Sequence, residues 1–451
     1  MGSGSGSWTV PVPSDVKPVA YVAYFFPPLG GAGVQRTLKF ARYLPAHGWL
    51  PTIITVREAH YWMRDPTLER EIPSAVGVIR TRALTGHSIL GGIGARRAAG
   101  EPNALRSGAA VRRLRGFSRW VAIPDAFVGW VPFAVRAARG VLRGGGVLMT
   151  TSSPDSTHLV GLQIPRGPRS GIAWIADFRD PWVRRMSFDP PSGLHRRIHE
   201  SLEGLVVRRA TRIVTTSGAT RDDFLRRYPA CDPRRIVVIP NGYDEEDFPA
   251  EETAPAASFD LLHVGQLNPE RPIAPLLDCL GRFFALRPDA RAATRVELVG
   301  PRYVEDEEEV ARHGFATIVR FRDAVPHRDA VALLGRARVL VLMEQESERG
   351  ALILPGKTFE LVRAHRPILG LVPRGAAWDL IDRLGAGGCA LPSEPQAGAA
   401  QLAVFYDAYR AGANPDPGVD PAAIRAFERR ALTARLATLL DEASAEVRPS
   451  R

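Results

Sequence analysis

Residues 18–44 read PVAYVAYFFPPLGGAGVQRTLKFARYL, and this stretch decides the fold class. The run 18–25 is apolar at nearly every position, without the polar alternation of a strand that has one wet face, so it reads as a strand covered on both sides. It ends in two prolines and three glycines, Gly30, Gly31 and Gly33, and a helical pattern from Val34 to Leu44 follows. A buried strand that turns through glycines into a helix is the opening unit of a parallel, doubly wound sheet.

The alternation continues outward from there. Strands are expected near 51–56, 76–81, 147–152, 172–177, 212–216 and 236–239. A second series is expected near 260–264, 296–299, 318–322, 339–343, 367–372 and 388–391, with helical patterns such as Leu194–Arg209, Ile273–Leu286 and Asp329–Leu334 in between. The pattern breaks once, at PAEETAPAAS (249–258), which is aperiodic and reads as a linker. The division that follows has MGSGSGS (1–7) as a Gly/Ser linker outside the fold, a first domain at 8–248, the linker at 249–258, and a second domain at 259–425. A closing helix and tail, 426–451, is expected to return toward the first domain. The fold class is therefore α/β, with two doubly wound domains facing across a cleft. Ligands of such sheets sit at the carboxyl ends of the strands.

Composition narrows the function classes. The chain has 451 residues, 45% hydrophobic and 24% charged, which excludes a disordered polymer. No uncharged apolar stretch is long enough to span a bilayer. Cys231, Cys279 and Cys389 lie far apart with no CxxC, against both a disulfide framework and a thiolate zinc site. With no signal pattern at the start, a reducing, cytoplasmic location is expected. Residues 1–250 carry a net charge of +14 and residues 251–451 a net of −3, so an anionic partner is expected for the first half. Only three of the 59 basic residues are lysines, Lys17, Lys39 and Lys357, so a lysine in a loop after a strand stands out.

The candidate site residues cluster behind the strands. Gly30 and Gly31 would let a ligand approach the backbone, with Arg36 on the following helical turn, although the third glycine of a dinucleotide fingerprint is missing. DFRDPW (177–182) packs Asp177, Arg179 and Asp180 into one loop, where the carboxylates could bind hydroxyls, act as a base or pair with Arg179. His158 follows the strand at 147–152; it reads as a ligand contact or a structural histidine. His195 and His199 have zinc-ligand spacing but no third ligand, so no metal site is read there. In the second half, HVGQLNPERP (263–272) brings Gly265 and Arg271 to a helix start, and PGKTFE places Gly356, Lys357 and Glu360 on one turn. Lys357 and Glu360, three apart, could form a plain surface ion pair or could serve a phosphate and a ribose diol.

Taken in order, YFFPPLGGAGVQRTLKFARYLPAHGW, WIADFRDPW, IPNGYDEEDF, HVGQL with its downstream arginine, and PGKTFELVRAHRPIL resemble a bacterial glycosyltransferase of the GT-B fold. The likeness is to family-four-like retaining enzymes of polysaccharide assembly, and it covers roughly residues 18–445. It implies two Rossmann-like domains and sugar transfer from a nucleoside diphosphate sugar to a hydroxyl acceptor, lipid-linked or small. Glu360 would take the ribose, Arg271 and Lys357 the diphosphate, and the backbone near Gly356 and Gly265 the donor. Gly30 and Gly31 would face the diphosphate from the first domain. Asp177 and His158 would line the sugar pocket as catalytic residues, with Arg36, Arg179 and Asp180 on the acceptor side. No metal and no cofactor are implied, because fixed cations can stabilise the leaving diphosphate. Two departures stand out: relatives carry a glutamate where Leu352 sits, and a basic residue where Gln266 sits.

Other readings compete. One is a degenerate sugar-nucleotide scaffold without transferase activity; another is a nucleotide-sugar epimerase on the same framework. The segment Ala95–Arg143, with Arg96, Arg97, Arg106, Arg112, Arg113, Arg115, Arg119, Trp120 and Trp130, would suit an anionic membrane surface, or would be a solvated loop. No nucleic-acid motif accompanies that charge, so no nucleic-acid partner is expected.

Overall fold

A computed structural model describes residues 16–57, 64–84, 120–250, 254–413 and 416–447. The first sheet contains β1 (Lys17–Val22), β2 (Trp49–Val56), β3 (Gly77–Thr81), β4 (Gly146–Thr151), β5 (Ile172–Phe178), β6 (Arg212–Thr215) and β7 (Ile236–Val238). The second contains β8 (Phe259–Val264), β9 (Thr294–Val299), β10 (Val319–Arg322), β11 (Val339–Met343), β12 (Ile368–Leu371) and β13 (Gly387–Ala390). Each strand falls within a few residues of its expected place.

The first sheet runs β3-β2-β1-β4-β5-β6-β7 and the second β10-β9-β8-β11-β12-β13. All pairings are parallel. Counted from its own first strand, each sheet has the order 3-2-1-4-5-6, the first with one strand more. This is the doubly wound order whose direction of winding reverses beside the first strand. The reversal lies between β1 and β4 in one domain and between β8 and β11 in the other.

Burial explains why the strands read as unbroken apolar runs. Every residue of β5, IAWIADF, is buried. On one face of the first sheet, Val34 and Leu38 of the helix Ala32–Tyr43 pack with Leu432, Leu436 and Leu440 of the helix Arg429–Glu446. On the other, Val131 and Val135 pack with Val206, Val207 and Trp174. In the second domain, Leu276, Leu280 and Phe283 join Leu402 and Tyr406 over one face, while Phe359, Leu361, Leu380 and Ile381 cover the other. Each such side chain, fully buried, contributes about 1.5–3 kcal/mol.

The closing helix thus belongs, by packing, to the first domain. The chain crosses between the domains twice and the crossings touch: Tyr243 N donates to the Phe427 carbonyl at 3.2 Å, and Arg429 N donates to the Tyr243 carbonyl at 2.8 Å. A Cβ on Gly242 would run into that Phe427 carbonyl, which explains the glycine after Asn241. Lys39 anchors the outward crossing, its ammonium 2.8 Å from Asp244, 3.0 Å from Asp247 and 2.8 Å from Glu71. Burial works against that charge, yet the three carboxylates outweigh it and raise the Lys39 pKa.

The arginines from Arg96 to Arg119 lie outside the described residues, as does the Gly/Ser linker 1–7. Trp130 is fully buried and donates to Thr81 Oγ1 at 2.7 Å, so it is a core residue and not a surface aromatic. Among the described residues no helix is long and apolar enough to cross a membrane.

Candidate functional site in the interdomain cleft

The loops after the strands of both sheets border one cavity of about 390 Å³. The first domain contributes Phe25 after β1, Ser153 after β4, Asp180 and Arg185 after β5, and Asp125 and Phe127; the second contributes Glu270, Arg271 and Ile353. Phe25 and Phe127 pack edge to face with centroids 5.9 Å apart, giving the cavity an aromatic wall. Asp125 accepts from Phe127 N at 2.9 Å and Ser156 N at 2.8 Å, and burial pushes its pKa up. Asp155 meets Arg185 at 2.6 Å, and burial, with Arg185 opposing it, pushes the Asp155 carboxyl up to about 7.

Behind that wall the structure gives Asp177 a different use from the one expected. Asp177 is fully buried and its carboxylate pairs with Arg36, not Arg179: Nε donates at 3.1 Å and Nη2 at 2.9 Å. Thr151 Oγ1 adds a third donor at 2.8 Å. Arg36, 1% exposed, also donates to the carbonyls of Pro240 at 2.8 Å and Ile239 at 2.9 Å. Both residues, expected to face ligands, are therefore internal fasteners joining β5, the first helix and the crossing segment. Arg179 is engaged likewise, donating to the carbonyls of Ser152, Gly33 and, at 3.3 Å, Ser153. Of the three acceptor-side residues only Asp180 borders the cavity. Gly31, at φ +88°, begins the first helix in a conformation that favours glycine, and Gly30 is buried.

His158 is fully buried beneath β4 and β5, with its ring 4.3 Å from that of Phe178. Its Nδ1 lies 2.9 Å from Thr150 Oγ1, which also accepts from Trp174 Nε1 at 2.9 Å. That arrangement directs the threonine proton to Nδ1 and leaves the ring proton on Nε2, the atom without a partner. Burial pushes the His158 pKa down to about 3, so the ring is neutral at physiological pH.

In the second domain Gly265, Arg271 and Lys357 converge at the reversal between β8 and β11. Lys357 Nζ donates to the Val264 carbonyl at 2.7 Å, and a Cβ on Gly265, at φ +154°, would fall on that ammonium. Burial, with Arg271 beside it, pushes the Lys357 pKa down to about 7. A Cβ added to Gly356 would lie 3.7 Å from the side chain of Asn241 of the outward crossing. Glu360 lies 3.5 Å from His327 Nε2, which also lies 3.4 Å from Asp247. Burial raises the Glu360 pKa, while His327 opposes it. Sequence reasoning missed Glu344, Asp125 and Arg185, which carried no glycine or lysine to mark them.

Residues 29–247 match the model of Glycosyltransferase Family 4. Over that span the chain is similar to family 4 glycosyltransferases. The alpha-maltose-1-phosphate synthase of Mycobacterium tuberculosis is 31% identical over 146 residues, 32% of this chain and 35% of that protein. The chain thus aligns with about a third of the length of the curated relatives it matches. The sucrose-phosphate synthase of Thermosynechococcus elongatus superposes with a TM-score of 0.62 at 16% identity, covering 95% of this chain and 99% of that one. HepE of Anabaena, solved in complex with UDP and glucose, superposes with a TM-score of 0.63 at 14% identity, covering 94% and 100%. With that match and these full-length superpositions, the family-four-like chain has the GT-B fold.

Among the described residues no group of three His, Cys, Asp or Glu side chains is placed to hold a metal ion.

Proposed function

We propose that the protein transfers a sugar from a nucleoside diphosphate sugar to a hydroxyl acceptor. The observation that carries this reading is the pair of cations, Arg271 and Lys357, at the β8–β11 reversal, where a doubly wound domain receives a nucleotide. Arg271 borders the cleft cavity and Lys357 lies in its field. Charge that develops on a leaving diphosphate is stabilised best by fixed cations in a site shielded from water. Glu360 accepts the ribose diol, and Gly265 and Gly356 let the donor approach the backbone. His158, neutral with its proton on Nε2, donates a hydrogen bond to a sugar hydroxyl. Asp180 borders the acceptor side. Asp177 and Arg36 position these loops without touching substrate.

The reaction retains anomeric configuration and needs no metal: the leaving phosphate takes the acceptor proton and the two cations replace a divalent ion. The donor sugar is a hexose or a relative of one, and the acceptor is a lipid-linked saccharide or a small molecule. A peripheral site on an anionic membrane fits the basic charge of the first half; failure to sediment with anionic liposomes at low salt would remove that part.

The test is thermal unfolding with UDP, GDP, TDP, ADP and CMP, with and without EDTA, followed by turnover. A ligand at about 100 times its Kd adds about 2.7 kcal/mol of stability. The expected result is a shift with one diphosphate that EDTA does not reduce, and loss of turnover in Glu360→Ala with the fold intact. No shift with any nucleotide would favour a scaffold, and donor conversion without acceptor an epimerase.

A further inference from the structure

We propose that Glu344 is a positioning residue of this donor site, fixing the direction of Arg271 and the charge of Lys357. The inference rests on the reading of Arg271 and Lys357 as diphosphate ligands.

Glu344 is the first residue after β11, at the point where the strand order reverses, and it is 2% exposed. Its Oε1 accepts from Arg271 Nε at 2.7 Å. Arg271 is thereby held by one edge only. Among the described residues no hydrogen bond engages its two Nη groups, and Arg271 borders the cleft cavity. A guanidinium gripped at Nε offers the opposite edge as a fork that matches a phosphate.

The second carboxylate oxygen of Glu344, Oε2, is buried and has no partner. Leaving a buried polar atom unpaired is unfavourable, so an arrangement of this kind calls for an explanation. The groups that face Glu344 supply it. Arg271 and Glu270 come from the loop after β8, and Lys357 from the turn that opens the helix Lys357–Arg363. His263 of β8 belongs to the same cluster: its Nδ1 lies 3.0 Å from the Val341 carbonyl, and its buried Nε2 has no partner. Glu344 is the counter-charge to two cations. Burial raises its pKa while Arg271 and Lys357 oppose that rise; in turn Glu344 pulls the Lys357 pKa upward against burial. An incoming diphosphate takes over as counter-charge, and Glu344 remains as the clamp on Arg271.

The two roles separate in two variants. Glu344→Ala removes clamp and charge; Glu344→Gln keeps an acceptor oxygen for Arg271 Nε and removes only the charge. Isothermal titration of UDP, GDP, TDP and ADP, and of the matching nucleosides, is carried out on each protein from about pH 6 to about pH 9, bracketing the lowered Lys357 pKa. The expected result is that the diphosphate bound by the wild type binds Glu344→Ala roughly 10-fold or more weakly, a loss on the scale of one charged hydrogen bond. Affinity for the nucleoside stays the same. Glu344→Gln recovers affinity at the acid end but loses it at lower pH than the wild type, because Lys357 then sheds its proton sooner. Wild-type diphosphate affinity in Glu344→Ala overturns the proposal, as does equal loss of nucleoside and diphosphate. If Glu344→Ala fails to fold, an unshifted pH profile in Glu344→Gln overturns it instead. A wild type that binds no nucleoside diphosphate fails one step earlier, at the donor reading.

Discussion

Two polar clusters lie at the carboxyl ends of the strands, one in each sheet, and they are finished to different degrees. Beside β1 and β4, Arg36 and Asp177 form a bidentate pair completed by Thr151 and two backbone carbonyls. Beside β8 and β11, Arg271 and Glu344 share one hydrogen bond, while Glu344 Oε2 and His263 Nε2 have none. Both carboxylates are buried, but Arg271 is 22% exposed where Arg36 is 1% exposed. A cluster whose bonds are all made inside the protein holds loops together. A cluster with unmade bonds has capacity left for a ligand.

That contrast can be broken. The largest effect is expected for Asp177→Ala, which strands the Arg36 charge in the core; about 3–5 kcal/mol of unfolding free energy should be lost in denaturant titration. Glu344→Ala should cost about 1 kcal/mol or less by the same measurement, because the Nη edge of Arg271 already borders the cavity and one of the lost carboxylate oxygens has no partner. Equal losses at the two sites would erase the distinction.

The acid limb sharpens it. His158 and His263 are both pushed down to about 3 by burial, below the ordinary histidine value of 6.5. The unfolded chain therefore binds protons that the folded protein refuses, and stability should fall as pH drops below 6.5, by about 1.4 kcal/mol per pH unit for each histidine. His158→Gln and His263→Gln should each flatten that slope; a slope unchanged in both would count against neutral buried rings. The smallest effect belongs to Lys17, whose ion pair with Asp441 lies at the surface. Lys17→Ala should change stability by about 0.2–1 kcal/mol, in contrast to the buried pairs.

The central strands were legible because each is covered on both faces and so shows as an apolar run, whereas the edge strands β3 and β10 are partly exposed. The cleft was legible because the strand series occurs twice. The ionic partners were harder to read. Asp177 stands two residues from Arg179, which made that pairing the natural expectation, yet its partner is Arg36, 141 positions earlier. Pairing across that span depends on which loops the sheet brings together. Glu344 begins the run EQESE, which reads as a solvated acidic loop beside Glu346 and Glu348. Glu344, directly after β11, is buried, whereas Glu346 and Glu348 further along the loop are exposed. Lys357 was found because lysine is scarce here. Of the other two, Lys39 serves the crossing between domains and Lys17 the surface.

The packing of the helix Arg429–Glu446 on the first sheet has a consequence for biosynthesis. One face of the sheet depends on Leu432, Leu436 and Leu440, yet its last strand, β7, ends at Val238. At roughly 5–20 residues per second, the ribosome needs about 10–40 s to travel from the end of that sheet to the end of that helix. During that interval Val19, Tyr21 and Met149 lack part of their cover, while the whole second domain emerges and can close on itself. The domain made first is thus completed last, and the nascent chain carries an open apolar face for which a chaperone is the natural stand-in.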